Sequence, residues 1–315
     1  MEKMVKPQKL QKGDMIGVIA PSSPTKKPED IDKALEKLRS YGFQVKEGKH
    51  LRKRDGYLAG SDKERIEDLH AMFLDKTVKG IVCLKGGYGT PRILGQLDEK
   101  VFQDNPKVFA GYSDVTSLHV YLNQKANLVT FHGPMPASDM IYTYSDFSHA
   151  SWLEAISSDK VIGTLKNPDN EPLETIYDGV AEGKLVGGNL TLLSLSLGTP
   201  YEIDTKGKIL FIEDVHEPPY RIDGYLMHLK NAGKFEECAG IILGSWSKCV
   251  SDTREQDRPL RQVFEEILVP CKKPILLNLR AGHCEPALTL PMGVNVHLDA
   301  TRGVVNVLEN ACVSM

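Results

Sequence analysis

The sequence predicts an α/β protein in two parts: a parallel β-sheet covered by helices on both faces in the N-terminal half, and a mixed, more antiparallel β structure in the C-terminal half. Three observations predict it. From residue 15 to about residue 131, short apolar runs alternate with helical segments of the length that right-handed β-α-β crossovers need. Beyond about residue 162 the runs are shorter and bounded by Gly and Pro. Between the two textures lies 163-GTLKNPDNEPLE-174, rich in Pro, Asn and charge. The expected division is 1–162, a linker at 163–174, and 175–315.

The elements follow in order. MIGVIA at 15–20 reads as a buried strand, and 28–41 puts Ile31, Ala34, Leu35 and Leu38 on one helical stripe closed by Gly42. A strand at 43–45 precedes Ser61 and Glu64, spaced as a capping box at the head of a helix carrying Ile66, Leu69, Met72 and Phe73. GIVCL at 80–84 is the next strand, GGYG a turn, and Pro91 suits the first position of a following helix. KVFAGY, a helix after Ser113 and a strand at 128–131 complete the first part. The second part offers VAEGKLVGG, KILFIED, GIILG, PILLN, ALTLP and VNVHL, with helices at 224–232 and 259–268. In a parallel sheet, ligands gather outside the carboxyl ends of the strands. The turns Pro21-Ser22-Ser23, Gly86-Gly87-Tyr88-Gly89 and Gly111-Tyr112-Ser113 all follow strands and are expected on that one edge.

Composition excludes some classes of function. The chain has 315 residues, 41% hydrophobic and 26% charged, with a net charge of -3 and its Lys and Arg spread out. Neither a nucleic-acid nor a membrane-surface footprint is present, so small molecules are the expected partners. No apolar run reaches the roughly 20 residues of a spanning helix. The N-terminal stretch lacks the apolar region of a secretory leader, so the expected location is cytoplasmic. Cys83, Cys238, Cys249, Cys271, Cys284 and Cys312 form no C-x-x-C pair, which signals neither zinc nor a disulfide framework. Most are expected reduced and buried.

Ser113 is the candidate nucleophile, and it can equally be read as the N-cap of the helix it precedes. A serine needs a base, and the base needs a carboxylate to fix its tautomer. The second part supplies candidates at two strand ends, 209-ILFIEDVHEPPYRID-223 with Glu213, and 275-ILLNLRAGHCEPALTLP-291 with His283. Taken singly, a carboxylate at a strand exit is commonly only solvated. The Asp114 amide, at a helix start, is a candidate oxyanion donor. The GGYG turn can be a loop needing positive φ or part of the site; it is not a P-loop. No H-x-x-x-H pattern or ligand cluster suggests a metal, and no cofactor is expected.

The set GDMIGVIAPSSP, LKGGYGTPRIL, GYSDVTSLH, GKLVGGNLTLLSLSLGTP, ILFIEDVHEPPYRID and AGHCEP, in that order, resembles the LD-carboxypeptidase family of serine peptidases, which includes muramoyl-tetrapeptide carboxypeptidases and microcin-immunity hydrolases. The resemblance implies a flavodoxin-like N-terminal domain, a β-barrel-like C-terminal domain and a homodimer. It implies a triad of Ser113, Glu213 and His283, with Glu217 as the alternative acid, and an oxyanion amide from Gly86 or Gly87. It implies a murein tetrapeptide substrate cut before the terminal D-Ala, or, in the immunity branch, an aminoacyl-nucleotide-like toxin. Lys85 stands where an arginine commonly precedes GGYG, and His216 where a glycine is common. Lys85, Asn189, Arg221 and Arg280 are the candidate substrate-binding residues, although arginines placed as these two are more often surface ion-pair residues. A non-catalytic binding protein on the same scaffold is the competing reading. Because Ser113 lies in one part and Glu213 and His283 in the other, a closure between them is a further expectation.

Overall fold

The structure, a computed structural model, describes residues 4–250 and 257–314; residues 1–3 of the N-terminal stretch read above lie outside them, as do 251–256 and 315. The N-terminal part runs β1 (Met15–Ile19), α1 (Glu29–Ser40), β2 (Gln44–Glu47), α2 (Asp62–Leu74), β3 (Val78–Cys83), α3 (Glu99–Gln103), β4 (Val108–Gly111), α4 (Thr116–Lys125) and β5 (Thr130–His132). All these strands pair in parallel, in the order β2-β1-β3-β4-β5. This is the flavodoxin-like order, with its switch point between β1 and β3.

Local sequence accounts for most of these elements. The predicted stripe of α1 is buried, and Gly42 takes φ 93° just beyond the helix end, a left-handed turn that favours glycine. Ser61 and Glu64 form the expected capping box, with Glu64 N donating to Ser61 Oγ (3.3 Å) and Ser61 N to Glu64 Oε2 (2.9 Å). The helix expected from Pro91 is instead two 3-10 turns, Thr90–Arg92 and Leu94–Gln96. Gly95 weakens any longer helix there, and Asp98 starts α3 afresh by accepting from Lys100 N (3.0 Å).

The rest of the chain forms α5 (Asp146–Ser157), β6 (Val161–Thr164), β7 (Glu174–Tyr177), β8 (Val180–Asn189), α6 (Leu190–Ser196), β9 (Ile209–Val215), α7 (Pro219–Asn231), α8 (Lys234–Glu237), β10 (Gly240–Ser247), α9 (Leu260–Leu268), β11 (Ile275–Leu277), β12 (Leu290–Met292), β13 (Asn295–Asp299) and β14 (Val304–Asn310). Eight of these strands make a second sheet, β6-β14-β13-β8-β9-β10-β11-β7, curled as a half-barrel. β8, β9, β10 and β11 run parallel to one another, and the remaining pairings are antiparallel, as a mixed sheet requires.

Two details depart from the linear reading. β6 overlaps the start of the 163–174 segment and pairs with β14. The ALTLP run supplies β12, which adds antiparallel to β5 and so covers the edge of the first sheet. One apolar cluster joins Ile16, Phe131 and Trp152 to Leu185, Phe211, Val296 and Val305, so both sheets share a core.

Just before its last residue β8 carries Gly187 and Gly188, at φ 126° and 137°. A Cβ on Gly187 would overlap the Phe211 carbonyl oxygen of β9, and one on Gly188 would sit 2.5 Å from Thr116 Oγ1 of α4. Gly187→Ala is therefore expected to lower unfolding free energy by about 3 kcal/mol or more, read by urea denaturation.

Candidate active site

The carboxyl edge of the first sheet is tied together by groups from three turns. Asp114 is 1% exposed, and its carboxylate accepts from Ser22 Oγ (2.6 Å), Thr90 N (2.9 Å) and Gly89 N (3.3 Å). Ser23 Oγ accepts from Tyr88 N at 3.1 Å. Arg65, buried on α2, donates from Nη1 to Pro21 O (2.5 Å) and Gly89 O (2.8 Å). The expected convergence of the three turns is present. Arg65 gave no signal in sequence, because a cation on a helix usually reads as solvated.

Ser113 leaves β4 with φ 65°, the left-handed region that a serine seldom adopts. It opens a 3-10 turn, Ser113–Val115, that runs into α4. Tyr112 and Val115 hold the N-cap positions of these two segments, so the N-cap reading of Ser113 is corrected. Gly86 lies directly against the serine: a Cβ there would come 2.9 Å from Ser113 Cβ and 3.1 Å from Oγ. Gly87, at φ 125°, faces Ser23 instead.

Glu213, near the end of β9, meets His283, in the turn segment that follows β11. The Glu213 side chain has no exposure, and its Oε2 accepts from His283 Nδ1 (2.7 Å) and His283 N (3.1 Å). A Cβ on Gly282 would strike this carboxylate at 2.5 Å, so glycine at φ 95° is required there. Ser245 Oγ (3.1 Å) and Ser247 Oγ both donate to His283 O, and Glu285 braces the same turn by accepting from Ser145 N (2.8 Å) and Ser148 Oγ (2.9 Å). The Tyr112 ring lies 4.7 Å from the His283 ring, which brings the residue beside Ser113 onto the imidazole. Tyr112 OH donates to Asp139, a partly buried carboxylate, at 2.8 Å.

The electrostatics follow from this burial. For Glu213, desolvation would raise the pKa, but the charge and hydrogen bonds of His283 together hold it below the usual carboxylate value. For His283, burial works against the charged ring, yet Glu213, helped by Asp214 and Asp139, raises it above the ordinary histidine value. His132, fully buried, is pushed by desolvation down to about 4 and stays neutral behind the pair. Cys284 has its thiol pushed up to about 11, chiefly by burial, which keeps it protonated beside His283. All six cysteines are free, four of them buried.

The other candidates are placed differently. Glu217 pairs with exposed Arg221 at 3.3 Å on the surface, so Glu213 is the carboxylate that His283 meets. Arg280 has its backbone on Asn167 (2.8 Å) and its Nη2 on Glu285 O (3.1 Å). Asn189 is 3% exposed: Nδ2 donates to Asp214 Oδ1 (2.9 Å) and reaches Glu213 Oε1 (3.5 Å), while Oδ1 caps α6 through Leu192 N (3.3 Å). Lys85 is half-buried next to Gly86. His216 sits at φ 59°, where glycine is the less strained residue. Among the described residues there is no group of three or more His, Cys, Asp or Glu side chains that could hold a metal ion, and no helix long and apolar enough to cross a membrane.

Residues 16–133 match the family model of the LD-carboxypeptidase N-terminal domain, and residues 182–298 that of the C-terminal domain. The chain belongs to the LD-carboxypeptidase family. It is 44% identical over 298 residues to the "Probable murein peptide carboxypeptidase" of Bacillus subtilis strain 168, across 94% of this chain and 92% of that protein. The fold is shared with the microcin C7 self-immunity protein MccF bound to glutamyl sulfamoyl guanosine (TM-score 0.90, 25% identity, 98% and 99% of the two chains). It is shared also with the muramoyltetrapeptide carboxypeptidase of Oxalobacter formigenes (TM-score 0.81, 30% identity, 93% and 97%). As an LD-carboxypeptidase family member the chain is a peptidase.

The Glu213–His283 contact predicts a titration. The His283 ring is expected to titrate above its ordinary pKa of about 6.5. Glu213→Gln removes the charge that raises it while burial persists, so the NMR-observed pKa falls below that value.

Proposed function

We propose that this LD-carboxypeptidase family member is a serine peptidase that releases the terminal D-alanine from murein tetrapeptides through Ser113, His283 and Glu213. The observation that carries this reading is the fully buried Glu213 carboxylate on His283 Nδ1 at 2.7 Å, with Tyr112 bridging from the Ser113 turn to the imidazole. With Nδ1–H donating to Glu213, the Nε2 lone pair is left to act as base. His283 takes the Ser113 proton as Oγ attacks the carbonyl of the diamino acid. The developing oxyanion is met by the amides of Asp114 and Gly86, the nearer glycine of the turn. His283 then gives the proton to the departing D-alanine amine. A water, deprotonated by the same nitrogen, cleaves the acyl-serine and restores the hydroxyl.

The 44% identity to a protein named for murein peptides supports this substrate. In this reading the enzyme is a cytoplasmic homodimer working on recycled wall fragments. A second reading, hydrolysis of an aminoacyl-nucleotide-type amide, is favoured by one observation, the TM-score of 0.90 to MccF holding glutamyl sulfamoyl guanosine. Offering both substrates to the purified protein separates the two.

With L-Ala-γ-D-Glu-meso-diaminopimelyl-D-Ala, mass spectrometry is expected to record loss of one alanine. Ser113→Ala should lower kcat/KM by about 10⁴ or more with the folded state retained by circular dichroism. Catalysis needs neutral His283, so kcat/KM should rise with pH through a pKa above the ordinary histidine value of about 6.5. Retention of full activity by Ser113→Ala would rule out the serine mechanism.

A further inference from the structure

Three cations stand together on the edge that carries Ser113. Lys85 immediately precedes Gly86, where a Cβ would come 2.9 Å from Ser113 Cβ. Arg54 reaches the loop after β1, its Nη2 donating to Thr25 O (2.5 Å) and Lys26 O (3.5 Å). That loop is the one whose Ser22 and Ser23 are bonded to Asp114 and Tyr88, so Lys26 and Arg54 are held beside the GGYG turn. The two cations before Arg54 are ion-paired: Arg52 with Asp32 and Glu47, and Lys53 with Glu64. Lys26, Arg54 and Lys85 have no carboxylate partner among the described residues. Burial pushes the Lys85 ammonium down from its usual pKa, and the charges of Lys26 and Arg54 push it further the same way.

Three like charges gathered without a counter-charge are unfavourable alone and favourable around an anion. A carboxypeptidase substrate supplies one at a fixed place. Its terminal carboxylate lies one residue beyond the attacked carbonyl, roughly 4 Å away. Lys85 is one residue from the glycine beside Ser113, and it is the half-buried member of the three.

We infer that Lys85, flanked by Arg54 and Lys26, is the recognition site for the C-terminal carboxylate of the peptide, with Lys85 the direct partner and the other two supplying field. This rests on the carboxypeptidase reading above, and it makes these residues the source of exopeptidase specificity. Lysine serves here as a point charge, so the pocket should demand charge more than planar geometry.

Binding to Ser113→Ala, followed by calorimetry, tests the pocket apart from turnover. The probes are the tetrapeptide L-Ala-γ-D-Glu-meso-diaminopimelyl-D-Ala and its C-terminal amide. The acid is expected to bind about 10- to 100-fold more tightly than the amide, and adding Lys85→Met should collapse that ratio with little change for the amide. Arg54→Gln and Lys26→Gln should each weaken the acid several-fold, most at low salt. Equal affinities for acid and amide, or a ratio unchanged by Lys85→Met in a protein with native circular dichroism, overturn the pocket. A normal acid preference with no cleavage of the tetrapeptide by the unmodified enzyme overturns the peptidase reading and leaves the pocket standing. Binding of neither probe overturns both.

Discussion

The arrangement depends on one buried contact, the Glu213 carboxylate on His283. An ionised carboxylate with no exposure is expensive unless its oxygens are met by donors. Here a single residue supplies two, the ring Nδ1–H and the backbone N–H of His283, so ring and main chain are fixed together. That geometry dictates much around it. Residue 282 has to be glycine because the carboxylate fills the place of a Cβ, and the His283 carbonyl is anchored by two serines of β10. Successive residues of a strand face opposite ways, so Asp214 turns its carboxylate from Glu213 towards α6, where Thr191 N (2.9 Å), Thr191 Oγ1 (2.8 Å) and Asn189 Nδ2 satisfy it.

The same contact has to be brought to Ser113, which belongs to the other sheet. The join is made by close approach rather than by a linker. Gly188 lets β8 press against Thr116 at the head of α4, and Asn189 N donates to Thr116 Oγ1 at 3.0 Å. Asn189 then reaches Glu213 and Asp214, so one short path of hydrogen bonds runs from the helix after Ser113 to Glu213. β12 and the shared apolar cluster reinforce that path. The turn of Ser113 and the Glu213–His283 pair are thus tied into one body by hydrogen bonds and by a core that both sheets share.

What was legible in the sequence was local. Period and capping marked β1, α1, α2 and β3 because each buries one face or satisfies its own helix end, and the three strand-end turns met on one edge because parallel topology leaves them nowhere else. The pairing of Glu213 with His283 came from family resemblance; spacing alone cannot tell a buried carboxylate at a strand exit from a solvated one. Non-local contacts were illegible. ALTLP reads as one more strand of the second sheet, and only the uncovered edge of β5 explains why it crosses over. Asn189 reads as a candidate substrate-binding residue after two glycines, and those glycines let the strand be approached closely enough to bury it. Nothing in the local sequence marks the side chains of Arg65 and Asp114 as buried clamps, since they join turns about 25 to 45 residues apart.

The conformation of Ser113 is the part hardest to explain by stability alone. A non-glycine residue at φ 65° costs roughly 1 kcal/mol or more, and an asparagine or glycine would sit there with less strain. The surroundings nonetheless enforce it. A Cβ on Gly111 would press on Cys83 and Val115 at 3.1 Å, so the exit of β4 is packed tight, and Asp114, fixed by three donors, sets where the next turn begins. Between a strand end that cannot widen and an aspartate that cannot move, residue 113 has only the left-handed turn available. That turn sets the serine against Gly86, while Tyr112 beside it lies on the imidazole of His283. The side chain caps nothing in return. Strain retained at one residue, where a less strained residue type would fold as well, fits a requirement for the hydroxyl itself.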